Sequence, residues 1–235
     1  MGQIHLVRHG QASFDSDHYD CLSALGERQA RLLGDWFARC GRRVDMLHRG
    51  SLQRHRQTAD GLMEALPSAL RPAADVQIDA GFDEYDHDAI LLAQRPDLAD
   101  PAAMRAWLAA QPHPRRAFQH LFAQAMARWV SGAHDSDYPE SWAAFRARTL
   151  AALQQAVQRA GGSRTLVIVT SGGPISAICQ QLLRLPDDSA CEVCYGLANS
   201  GVTSLFYSGE RLSLAQLNNI AHLDVVADPA LVTYR

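Results

Sequence analysis

Arg8-His9-Gly10 follows directly on a short apolar run, Ile4 to Val7. A neutral imidazole is a good nucleophile toward phosphorus, and an adjacent guanidinium holds an incoming oxyanion while disfavouring the imidazolium. Gly10 lets the backbone come close to such a group. A second basic group lies in SLQRHRQTAD, residues 51 to 60, with Arg54 in the first turn of a predicted helix. Backbone N–H groups at a helix start favour anions as well. Arg54, Gln57 and Thr58 share one face of that helix by their spacing, which rotates His55 and Arg56 away, toward solvent or a supporting role. FDEYDH, residues 82 to 87, offers an acid: Glu84 is the candidate to protonate a leaving alkoxide, with Asp83 and Asp86 as alternates. Proton donation of this kind contributes about 10²–10⁴ in rate. VIVTSGGPISAI, residues 167 to 178, ends a β-branched run on Thr170 and Ser171 before Gly172, Gly173 and Pro174. A strand turning into a helix start is a place to hold an anion, so Ser171 is a nucleophile, a phosphate donor or a turn residue.

The elements that would carry these groups are readable from periodicity. Strands are predicted at Ile4 to Val7, Val44 to Leu47, Val76 to Ile78 and Thr165 to Thr170, with a late pair near Val202 to Tyr207 and Arg211 to Leu217. Ser208-Gly209-Glu210 would join that pair as a hairpin. Between them lie helical patterns. One runs from Ser23, an N-cap, to Gly41, and another covers Leu52 to Leu66, stopped by Pro67. A third spans Ser141 to Ala160 and a fourth Pro174 to Leu185. Strands alternating with helices imply an α/β/α sandwich, a mostly parallel sheet covered on both faces with one mixed edge. Residues 83 to 140 show no strand pattern and suit a helical cap inserted into a single domain over 1 to 235. Ligands gather beyond the carboxyl ends of strands in such sheets, so all four stretches would meet at one pocket.

Composition narrows the partners. The 235 residues are 47% hydrophobic with a formal charge of −3 and no basic block, which argues against nucleic acid. No apolar run approaches the ~18 residues of a membrane span. MGQIHLVRHG has neither a secretory n-region nor the residue pattern of myristoylation, Leu6 standing where Ser or Thr is needed. Five irregularly spaced cysteines, Cys21, Cys40, Cys179, Cys191 and Cys194, suit reduced thiols in a cytoplasmic protein. Cys191 and Cys194 make a lone C-x-x-C without a second pair, and a structural reading is preferred to zinc or redox chemistry.

In order along the chain, LVRHGQ (6–11), LSALGERQA (22–30), SLQRHRQTA (51–59), the Glu84 segment, SGGPI (171–175), LANSGVT (197–203) and NNIAHL, ending at Leu223, resemble the histidine phosphatase superfamily, also called the phosphoglycerate mutase-like family. The resemblance implies a phosphomonoesterase acting on a small phosphoester through a phosphohistidine on His9, with Arg8 and Arg54 as phosphate clamps and Glu84 as proton donor. It implies no metal and no organic cofactor, because positioning and charge neutralisation suffice for this transfer. Tyr85-Asp86-His87 replaces the Tyr-Gly-rich segment of mutase members, and Ala12 and Asp15 stand where those carry Ser and Asn, so the phosphatase branch is the nearer one.

One departure changes the expected chemistry. The family usually shows Ser-His-Gly-Gly where this chain has Thr170-Ser171-Gly172-Gly173, so Ser171 stands in place of a second histidine. A serine hydroxyl still donates to a phosphate oxygen, but a charged hydrogen bond is roughly twice as strong. Reduced activity, a phosphate-binding protein without turnover, or a replacement cation such as His87, His113, Arg115 or Arg116 are the resulting options. The order Ser171, Asp187, His222 also matches that of α/β-hydrolases, but Val169 stands where their elbow needs Gly. The sequence specifies neither the substrate nor an oligomeric state.

Overall fold

The pleat of the strands decides which residues face which layer. The computed structural model describes residues 1–13 and 20–234. Its strands are β1 (Gly2–Arg8), β2 (Met46–Arg49), β3 (Gln77–Ile78), β4 (Thr165–Thr170), β5 (Val202–Ser208) and β6 (Arg211–Asn219). Its α-helices are α1 (Ala24–Arg39), α2 (Gln53–Ala65), α3 (His87–Gln94), α4 (Pro101–Ala109), α5 (Pro114–Val130), α6 (Trp142–Ala160), α7 (Gly172–Leu183), α8 (Asp187–Gly196) and α9 (Ala221–Asp224). The strands form one sheet in the order β3-β2-β4-β1-β5-β6. β1 to β4 run parallel, and β5 turns antiparallel to both β1 and β6. The fold is mixed α/β with a mostly parallel six-stranded sheet.

Alternate residues of β1 and β4 go to opposite faces. Ile4, Leu6, Leu166 and Ile168 pack with Leu153 of α6 and with Ile175 and Ile178 of α7. Val7, Val167 and Val169 pack with Leu33 and Phe37 of α1 and Leu62 of α2. Both faces are therefore covered, which is why these strands read as continuous apolar runs. Each such side chain contributes about 1.5–3 kcal/mol on full burial.

The caps act as their residue types demand. Ser23 accepts from the Gly26 amide at the start of α1 at 3.1 Å, and Ser141 accepts from Ala144 at 3.2 Å at the start of α6. β2 begins two residues later than predicted, because the Val44 amide bonds to the Leu70 carbonyl outside the sheet. α7 begins at Gly172, before Pro174, and stops where Arg184 takes φ +55°. α8, which periodicity did not reveal, follows at once.

Among the described residues the stretch between β3 and α6 carries helices α3, α4 and α5 and no strand. On α5, Leu121, Ala125, Met126 and Trp129, with Phe122 partly buried beside them, pack with Trp142 and Phe145 of α6 and Ala177 of α7. No helix among the described residues is long and apolar enough to cross a membrane.

Candidate active site

β1 and β4 lie side by side with Arg8 opposite Thr170, so the residues just past both strands emerge together. The His9 amide bonds to the Thr170 carbonyl at 2.9 Å, and the Gly10 amide to Thr58 Oγ1 at 3.0 Å. Thr58 in turn donates to the Arg54 carbonyl at 2.8 Å, tying the loop after β1 to the first turns of α2. His9 Nδ1 lies 2.7 Å from the Gly10 carbonyl oxygen. A carbonyl only accepts, so Nδ1 carries the proton and Nε2 keeps its lone pair. Burial, then the charges of Arg54 and Arg8 and the ring of His55, hold the His9 pKa well below 6.5. The imidazole is therefore a neutral base with one free nitrogen.

The two arginines are held by contacts that leave donors over. Arg8 Nη1 donates to the carbonyls of Leu197 and Tyr234, while its buried Nε has no partner among the described residues. Arg54 Nη1 pairs with Asp20 at 2.7 Å, and its buried Nε is likewise unpartnered. Buried donors of this kind are expensive unless something accepts from them, and an anion does. Arg56 on the same helix is exposed.

Glu84 comes from the loop after β3. Arg148 of α6 gathers that loop, donating to the carbonyls of Ala80, Gly81 and Asp83 and pairing with Glu140 at 2.6 Å. Thr170 Oγ1 adds a bond to the Phe82 carbonyl at 2.6 Å. The Gly173 amide donates to both Glu84 carboxyl oxygens, at 3.1 and 3.2 Å. A Cβ at position 173 would lie 2.0 Å from Glu84 Oε1, so the approach requires glycine. Burial raises the Glu84 pKa above 4.5 and outweighs the opposing pull of Gly173, Arg54 and Arg8. The alternates are occupied elsewhere: Asp86 caps α3 through the Ala89 amide, and Asp83 accepts from the Ser51 amide at 2.6 Å.

Ser171 is buried at the junction of β4 and α7 and makes no capping bond. Its Oγ lies 2.7 Å from His55 Nε2. Of the two expectations for His55, the solvent-facing one is corrected: it is wholly buried, with its ring 5.8 Å from that of His9, and stands in a supporting place behind Ser171. The signal was present in the sequence, since His55, Thr58, Ala59 and Leu62 repeat at helical spacing and are the buried residues of α2.

His113, Arg115 and Arg116 are exposed at the start of α5, and His87 lies 3.4 Å from Asp88. Asp187 bonds Trp142 Nε1, Arg146 and Gln180, and His222 Nε2 lies 2.8 Å from Ser200 Oγ, so neither serves Ser171. Asp15 and His18 lie outside the described residues. Cys191 and Cys194 lie on α8, and burial pushes the thiol of Cys194 up to about 12. Among the described residues, no group of three or more His, Cys, Asp or Glu side chains is placed to hold a metal ion.

A sheet end that gathers a free imidazole nitrogen, two guanidinium groups with spare donors and a buried carboxyl group defines a site for phosphoryl chemistry. The profile of the histidine phosphatase superfamily (branch 1) matches residues 4–220, and the chain belongs to that superfamily. Comparison with curated proteins finds no match. A phosphoserine phosphatase variant from Entamoeba histolytica, solved in complex with phosphoserine, is similar in fold, with a TM-score of 0.66 at 17% identity over 95% of this chain and 100% of that one. Phosphoglycerate mutase from Bacillus anthracis is similar at a TM-score of 0.65 and 16% identity, covering 97% of each chain. A mycobacterial glucosyl-3-phosphoglycerate phosphatase gives a TM-score of 0.61 at 22% identity over 94% of this chain and 100% of that one.

Proposed function

We propose that this chain is a phosphomonoesterase that works through a phosphohistidine on His9. The observation that carries the reading is the His9 ring, whose Nδ1 is committed to the Gly10 carbonyl and whose Nε2 is left unprotonated with its lone pair free. Nε2 attacks phosphorus in line as the bond to the ester oxygen breaks. Glu84, whose pKa burial raises above the ordinary carboxyl value, gives its proton to the departing alkoxide. Water then attacks the phosphohistidine, Glu84 takes its proton, and the P–N bond breaks to release phosphate and the free imidazole. Arg8, Arg54, the Gly172 amide and the Ser171 hydroxyl bind the phosphoryl oxygens, whereas Gly10, expected among them, has its amide on Thr58 Oγ1 and its carbonyl on His9 Nδ1 and so shapes the loop. Arg8 Nε and Arg54 Nε, without a partner among the described residues, support the clamp role. No metal or organic cofactor is needed for these steps.

Hydrolysis rather than transfer to a second substrate is favoured by Tyr85-Asp86-His87 after the acid, where Asp86 caps α3 and Tyr85 packs on Trp129. The buried imidazole of His55 on Ser171 favours turnover over phosphate binding alone. We take residues 83 to 140 as a substrate-selecting cap of a single domain, and the substrate as a small phosphorylated metabolite. Five free thiols support a cytoplasmic setting.

Brief exposure to an activated aryl phosphate followed by an alkaline quench tests the mechanism. Acid-labile phosphate is expected on His9, and both label and turnover disappear in His9→Ala. Unchanged turnover in His9→Ala refutes the reading.

A further inference from the structure

Ser171 occupies the N-cap position of α7, where a serine ordinarily accepts from the second or third amide of the helix. Neither amide is open to it. The second belongs to Gly173 and is spent on Glu84, and the third residue is Pro174, which has no N–H. The hydroxyl is therefore left to His55, 2.7 Å away.

Behind the ring the arrangement continues. His55 Nδ1 lies 3.7 Å from Asp83 Oδ1 and has no hydrogen-bond partner among the described residues. Asp83 is itself fixed by the amide and hydroxyl of Ser51. A Cβ on Gly50 would fall 2.2 Å from His55 Nδ1 and 2.4 Å from Asp83 Oδ1, so glycine keeps the space between them open. Carboxylate, imidazole and hydroxyl follow one another, and the hydroxyl belongs to the residue after Thr170, whose carbonyl holds the His9 amide.

We propose that Asp83, His55 and Ser171 form a relay in which His55 positions Ser171 as a charge-backed donor to the phosphoryl group. The proposal rests on the phosphohistidine reading of the site above. For the Ser171 hydroxyl to donate to a phosphoryl oxygen, it must receive its own hydrogen bond from His55 Nε2. With Nδ1 turned to Asp83, the ring that does both carries two protons. An imidazolium thereby stands behind the serine, its charge answered by Asp83, and one proton is taken up as the dianion binds. In the empty site the ring is neutral: burial holds the His55 pKa below 6.5, with Arg54 adding to that and Asp83 and Asp20 opposing it. Burial pushes the Asp83 carboxyl up, but His55 and Ser51 outweigh it and keep it ionised. The groups facing His55 are Arg54 on its own helix, Asp20 before α1, Asp83 after β3, His9 after β1 and Ser171 after β4.

The relay supplies from α2 an imidazole that position 171 lacks. His55 is accordingly a positioning residue, and its loss falls on kcat more than on KM, because charge on the phosphoryl oxygens peaks in the transition state.

The test uses the full chain with p-nitrophenyl phosphate. His55→Ala and Ser171→Ala are each expected to lower kcat by about 10- to 100-fold, the worth of one hydrogen bond to a charged group. His55→Gln, which keeps a donor but cannot be charged, is expected to stay folded and to lose the pH dependence that His55 contributes. Ser171→His alone crowds His55, whereas Ser171→His combined with His55→Ala is expected to exceed either single variant. Proton NMR gives a readout apart from turnover: the His55 Cε1 signal, assigned by its absence in His55→Gln, moves to its imidazolium position when orthovanadate binds at pH 7. In Asp83→Asn that shift is lost. A His55 signal that stays neutral with orthovanadate bound, or a His55→Gln pH profile identical to the parent, overturns the relay. If His9→Ala abolishes turnover and His55→Gln changes nothing, the relay alone falls. Covalent fluorophosphonate on Ser171 also overturns it, by making the hydroxyl a nucleophile.

Discussion

Replacing Glu84 by Gln separates proton donation from everything else the carboxyl group does. The Gly173 amide reaches its two oxygens at 3.1 and 3.2 Å, so a glutamine carbonyl keeps one of these acceptors. Losing the other costs about 0.5–1.5 kcal/mol, small against a domain stability of about 5–15 kcal/mol. Losing the proton removes about 10²–10⁴ in rate, or roughly 3–5 kcal/mol of barrier stabilisation. The catalytic effect therefore exceeds the structural one, and it depends on the leaving group. An alkoxide needs the proton as the bond breaks, whereas dinitrophenolate does not. Glu84→Gln is expected to lose its full factor in the rate of His9 phosphorylation by an alkyl phosphate and little in the dinitrophenolate burst from 2,4-dinitrophenyl phosphate, with unfolding temperature nearly unchanged. The pH profile adds a second arm. His9 is free base down to well below pH 6.5, and Glu84 stays protonated to above pH 4.5 because burial disfavours its charge. Alkyl phosphate turnover in the parent thus falls as pH rises through the Glu84 pKa, and the variant lacks that fall. Equal losses in the two phosphorylation rates, or an alkaline limb surviving in Glu84→Gln, would show that another group delivers the proton.

Gly173→Ala places a methyl group 2.0 Å from Glu84 Oε1 and 2.8 Å from the Tyr85 ring, so it should displace the acid and reproduce the leaving-group pattern of Glu84→Gln while His9 still becomes phosphorylated by an aryl phosphate. Stability should decline on the acid side through two histidines outside the site. Burial lowers His5 and His222 from 6.5 to about 4, so the unfolded chain binds these protons first and stability is lost as pH falls between those values. By linkage each contributes roughly 3 kcal/mol across that window, read as a drop in Tm that flattens in His222→Gln.

The strands and three of the four site stretches were legible because their signals are local. Ile4 to Val7 and Thr165 to Thr170 are apolar runs ending in Arg8 and Thr170, and parallel pairing puts both ends on one edge. α8 was hidden because DDSACEVCYG buries only Ala190, leaving no apolar period to find. The burial of His55 was missed for a geometric reason. Assigning one face of α2 to the site placed Arg54, Gln57 and Thr58 there and turned His55 away. The first turn of the helix, however, meets the pocket on more than one side. Arg54 reaches it from one side through Asp20, and His55 from the buried side through Ser171. His55 on the buried face of α2 and Ser171 at the end of β4 make sense only as neighbours. They are 116 residues apart in the chain, and only the crossing of α2 against the end of β4 brings them together.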